Sequence, residues 1–137
     1  MITGFTISNI EGKIEAGELA KQRFPRLNIS LDSVNSDGGK IKINYTFIAD
    51  YFDSDAKDAK SVGQLKLGGL VELSESKENT ASIMKRWQDK KTLPVDVAEE
   101  IINGLNFRCS ATGTLVAYAL GLIPPLVIST TKIQEGK

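Results

Sequence analysis

The chain has 137 residues, with 17 basic and 17 acidic side chains, so it is formally neutral at pH 7 and has no net field to draw it to nucleic acid or an anionic membrane. Hydrophobic residues make up 41% and charged residues 25%, the balance of one globular domain, read here as residues 1–137. Histidine is absent, which removes Ser-His-Asp and Cys-His catalytic arrangements and most zinc sites.

In chain order, "GFTISNIEGKIE" predicts a first strand whose apolar residues change phase, Phe5 and Ile7 being odd and Ile10 and Ile14 even, so a bulge is expected near Asn9. Glu11 and Glu15 come early, with no basic-then-apolar segment before them, and the expected compartment is the cytoplasm. "RLNISLDSV" and "KIKINYTF" alternate as half-buried strands, and Asn35, Asp37, Gly38 and Gly39 between them predict an antiparallel hairpin. "DYFDSDAKDAKSVG" reads as an exposed loop. Its Asp50, Asp53, Asp55 and Asp58 are interleaved with Lys57 and Lys60, and they lack the central glycine and terminal glutamate of a calcium loop. "QLKLGGLVEL" predicts a fourth strand that buries Leu65, Leu67, Val71 and Leu73, with Gly68 and Gly69 marking a bulge or a close backbone approach. The four strands occupy about residues 4–75.

The period then changes from two to 3.6. A short amphipathic helix over about 79–90, capped by Asn79 or Thr80, aligns Ile83, Met84 and Trp87, and leaves Lys85, Arg86, Lys90 and Lys91 on its wet face. That stripe makes "MKRWQDKK" an amphipathic helix and not a nucleic-acid patch. A longer helix over about 96–120 opens on Asp96 and Glu99 in the form of a capping box. Ala98, Ile101, Ile102, Leu105, Cys109, Val116 and Leu120 follow in three- and four-residue steps. Gly121 is the expected C-cap, and Pro124 and Pro125 prevent continuation. Residues 109–131 carry no charge, yet this break leaves neither piece long enough to cross a bilayer, so stable membrane insertion is not expected. Cys109, the single cysteine, falls on the apolar stripe as a small buried hydrophobe. No enzyme constellation remains, and no cofactor or metal is expected.

"AEEIINGLNFRCSATGTLVAYALGLIPPLVIS" resembles the part of the SecB family of export chaperones in which a main helix ends in glycine, an apolar residue, proline and a short apolar segment; the matching positions are Gly121, Ile123, Pro124 and Leu126. "ISNIEGKIEA", "PRLNISLDSVNSDGGKIKINYTFIADY" and "SVGQLKLGGLVEL" look like the family's four strands. The resemblance implies an oligomeric α+β fold, a four-stranded antiparallel sheet followed by a short and a long helix, with residues 121–131 as an apolar exit segment. It also implies a cytosolic holdase that assembles as a dimer or dimer of dimers and keeps unfolded or non-native polypeptides soluble without nucleotide. An adaptor or antitoxin-type chaperone with one dedicated partner is the alternative. Client-groove candidates under this resemblance are Phe47, Tyr51, Phe52, Trp87, Leu122, Ile123, Leu126 and Val127, of which Phe47 and Trp87 read first as core, while Tyr51, Phe52, Leu122 and Leu126 read equally as core or groove. Subunit-seam candidates are Ile102, Leu105, Cys109 and Val116. Bacterial members are strongly acidic, a property tied to docking on the export motor, and the neutral charge of this chain argues against that docking.

Overall fold

The computed structural model describes residues 1–15, 22–126 and 133. Four antiparallel strands, β1 (Ile2–Ile14), β2 (Arg26–Asp37), β3 (Lys40–Phe52) and β4 (Ser61–Ser74), precede two helices, α1 (Lys77–Lys90) and α2 (Val95–Leu120). The sheet order is β1-β4-β3-β2, so β1 and β2 are its edges. Alternation puts Ile41, Ile43, Phe47, Leu65, Leu67 and Val71 on one face of the two central strands, all of them wholly buried. At about 1.5–3 kcal/mol for each large side chain taken out of water, that face is the main source of stability.

The phase change in β1 resolves as expected, by a register shift between Ile7 and Asn9. Phe5 pairs with Val71 and Ile10 with Leu67, so one extra residue returns both apolar sets to the face of the sheet that carries the helices, where Ile10 remains 50% exposed. The β2–β3 hairpin turns on Gly38 and Gly39, whose φ values of 58° and 83° suit a turn with two left-handed residues. In β4 the glycine pair marks a close approach: a Cβ on Gly69 would stand 1.8 Å from the Thr6 carbonyl oxygen. The Tyr45 hydroxyl donates to that same oxygen over 2.9 Å.

α1 begins earlier than its apolar stripe suggests, because Ser76, and not Asn79 or Thr80, is the cap, its hydroxyl accepting the Asn79 N–H over 3.1 Å. The expected capping box at Asp96 and Glu99 does not form. The N-cap is Pro94, without a side-chain bond, and Asp96 lies inside the first turn. Gly121 closes α2 at φ 75°, with the Leu122 N–H donating to the Ala117 carbonyl over 2.9 Å in a left-handed C-cap. The chain then folds back. Leu122 and Pro125 are buried, and the Tyr51 hydroxyl donates to the Ile123 carbonyl. Among the described residues no helix is long and apolar enough to cross a membrane.

Candidate functional site

α2 packs over β1 and β4, and α1 packs over β2. The two helices therefore leave a groove at the β2 edge of the sheet, of about 390 Å³. Ile29 and Leu31, from alternate positions of β2, form its floor, with Trp87 from α1, Leu93 from the helix connection, and Val95, Ala98 and Ile102 from α2 as walls. Trp87 is placed there by the same stripe that buries Ile83, one helical turn earlier.

The rim is cationic. Arg86 and Lys91 both line it, and the Lys91 ammonium sits 5.8 Å from the centroid of the Trp87 ring. Arg86 is steered by a 3.3 Å hydrogen bond from its Nε to the Thr92 hydroxyl. Lys91 ends α1 in the left-handed conformation, φ 53°, and its N–H donates to the Trp87 carbonyl over 2.9 Å. Beside this groove, among the described residues, β2 is hydrogen-bonded on one side only, to β3. Its other side presents N–H and C=O groups to any extended chain laid along it.

Of the residues named as client-groove candidates, Trp87 lines the cleft between α1 and α2. Alternation along the central strand β3 turns Phe47 and Tyr51 toward the helices, and both are 0% exposed, so Phe47 is core as its pattern favoured and Tyr51 is corrected from groove to core. Burial raises the Tyr51 phenol to about pKa 12. Leu122 is likewise core, at 4% exposure, because the Gly121 cap turns it back onto the sheet. Phe52 is half-buried under the Arg26 guanidinium, 4.1 Å from the ring centroid. Ile123 is half-buried and Leu126 exposed, and neither lines the groove. Val127 lies outside the described residues.

The subunit-seam candidates divide as well. Leu105 and Cys109 are wholly buried against the chain's own sheet, so they cannot face a second copy, and Val116 is half-buried. Ile102 turns to the groove. The outward apolar residues of α2 are instead Phe107, Leu115 and Tyr118, at 75%, 75% and 84% exposure. α2 thus has two apolar faces. The sheet occupies the one that the three- and four-residue steps trace first.

Burial raises the Cys109 thiol to about pKa 11. An unfolded thiol releases its proton near pH 9, so the unfolded state binds fewer protons than the folded state between about pH 9 and 11, and stability falls through that window. Denaturant titrations at pH 8 and 10.5 should show a larger loss in the parent than in Cys109→Ala. At pH 8 the native thiol should resist a disulfide reagent that labels it at once in guanidinium. Asp50 lies not in the expected loop but in β3, where it accepts from its cross-strand neighbour Gln64 over 2.7 Å, and Asp53, in the loop after β3, accepts from the Lys60 N–H over 3.0 Å. Among the described residues no three potential ligands from His, Cys, Asp and Glu gather to hold a metal ion.

The fold is similar to that of Rv1957 of Mycobacterium tuberculosis, a SecB-like chaperone whose structure was solved in complex with a ChAD peptide from the Rv1956 HigA1 antitoxin. The TM-score is 0.59 at 9% sequence identity, over 100% of this chain and 91% of that chain. No family model matches the sequence, and no curated protein matches it. The likeness is one of fold, a SecB-like α+β arrangement of four antiparallel strands followed by two helices.

Proposed function

We propose that this protein is a nucleotide-independent chaperone that holds extended apolar polypeptide segments along β2, with alternate side chains in the groove between α1 and α2. The observation that carries the proposal is the apolar groove lying beside a strand with one open edge. Backbone pairing to such an edge is tolerant of sequence, and the groove selects only for apolar side chains at every second position. The SecB-like fold, and the peptide bound to the neighbour that shares it, support the same reading. Arg86 and Lys91 on the rim favour clients with acidic residues flanking the apolar segment.

The antitoxin peptide in the neighbour's complex favours one refinement, that the client is a single dedicated partner. We further propose that a second copy covers Phe107, Leu115 and Tyr118, in a dimer or a dimer of dimers. The buried, unpaired Cys109 suits a reducing cytosol.

Light scattering from a reduced, aggregating, unrelated protein tests the general holdase. Dose-dependent suppression without nucleotide is expected, beyond that of an inert protein at equal concentration, and its absence would leave only the dedicated partner. Ile102→Ser should weaken binding of an apolar peptide about five- to tenfold, since Ile102 is already half-buried and covering the rest of its side chain contributes about 1–1.5 kcal/mol. Leu126→Ser, exposed and outside the groove, should leave binding unchanged. Equal losses in both variants would move the client off the groove.

A further inference from the structure

The groove already contains a residue of this chain. Ile133 lines it together with Trp87, Leu93, Ala98 and Ile102, and is half-buried there. Its backbone N–H donates to Glu99 Oε1 over 2.8 Å. Glu99 has this carboxylate to offer because the capping box does not form and α2 starts at Val95 behind Pro94. The two contacts differ in kind. One is an apolar side chain in an apolar groove, and the other is a charge-assisted hydrogen bond to main chain, about twice as strong as a neutral one.

We infer that Ile133 is an intramolecular stand-in for a client residue, and that an incoming polypeptide displaces it and takes over both contacts, its own N–H on Glu99 and its own side chain beside Trp87. The inference rests on the proposed holding of polypeptides in this groove. It makes Glu99 a reader of main chain, which every residue but proline can satisfy. The segment recognised is then an extended one with an apolar residue other than proline at this point. It also makes the free groove a minority state. A tethered residue competes at high effective concentration, so weak contacts suffice to keep it seated.

The full chain and its Ile133→Asp variant would be titrated against a short dansyl-labelled peptide alternating leucine with serine. If Ile133 is seated about nine-tenths of the time, its ejection lowers the apparent Kd about tenfold. Trp87, the single tryptophan of the chain, reports the groove directly, and acrylamide should quench it more strongly in the variant. Adding Glu99→Ala to Ile133→Asp should raise Kd about tenfold again, the loss of one charge-assisted hydrogen bond. Ile133→Ser replaces Ile133→Asp if the charge lowers the melting temperature.

Equal Kd values for parent and variant would overturn the self-occupancy while leaving client binding in place. An unchanged Kd on removing Glu99 would overturn its role as main-chain acceptor. If the peptide binds neither protein, the holding of polypeptides here fails instead. Quenching of Trp87 then decides for Ile133 alone: an increase shows it seated in the groove, and no change removes it.

Discussion

Gly69→Ala is expected to lower the melting temperature by about 10 °C, from about 3 kcal/mol of overpacking. The added methyl would lie 1.8 Å from the Thr6 carbonyl oxygen and 2.8 Å from both the Thr6 carbonyl carbon and the Tyr45 hydroxyl. Two of those atoms are backbone, so a rotamer change gives no relief, and β1 has to move away from β4. The Tyr45 to Thr6 hydrogen bond then lengthens or breaks. Gly4→Ala, in the edge strand β1 that Gly69 faces, is the control, its nearest neighbour being Glu72 Cβ at 4.0 Å, and should shift the melt by a few degrees at most. Equal melts for the two variants, followed by circular dichroism, would show that β1 adapts at the glycine pair.

A larger contrast is expected between two leucines of the same helix. Leu105→Asp places an unpaired carboxylate among Ile101, Cys109 and the sheet, where the parent side chain is 0% exposed, at a cost of several kcal/mol. That is a large part of the stability of a chain of this size, and the expected product is unfolded or insoluble. Leu115→Asp changes a side chain that is 75% exposed, so the single chain keeps its fold and its circular dichroism. If a second copy covers Leu115, the variant's mass in multi-angle light scattering should drop, to the 14.9 kDa of one chain from a dimer or to half the parent's mass or less from a dimer of dimers. A parent that already runs at the mass of one chain, or a variant that keeps the parent's larger mass, would remove this face from the assembly. The pair separates folding from association on two faces of one helix.

The elements were largely legible in the residues, and their neighbours were not. Alternation in Leu27, Ile29 and Leu31, the phase change before Ile10, and the Gly121 stop each follow from local periodicity or backbone conformation, and each appears as expected. The position of β2 at an edge is a property of the whole sheet, which puts β4 between β1 and β3. Without it, Ile29 and Leu31 read as ordinary core, and Phe47 and Tyr51, larger and aromatic, look like better candidates for a binding surface. α2 misled for a related reason. Ile101, Leu105 and Cys109 make a regular stripe, but Phe107, Leu115 and Tyr118 make another, and periodicity does not say which of two apolar faces the sheet takes. Ile133 gave no local signal, since a lone isoleucine near Lys132 and Gln134 shows no pattern until Trp87 and Glu99 are near it in space.

The pairing of β1 with β4 has a consequence on the ribosome. β1 is synthesised before the other three strands and, among the described residues, pairs in the finished sheet with β4, the last of the four, with Ile2 against Leu73 and Ile14 against Gly63. Synthesis proceeds at about 5–20 residues per second, so β1 waits about 3–12 seconds, roughly 60 residues, while β2 and β3 can already close their hairpin. During that interval its backbone donors and acceptors, and Phe5 and Ile7 with them, have no native partner to meet. For those seconds the β1 segment offers unpaired main chain and apolar side chains, the two features of the polypeptides that the mature protein is proposed to hold.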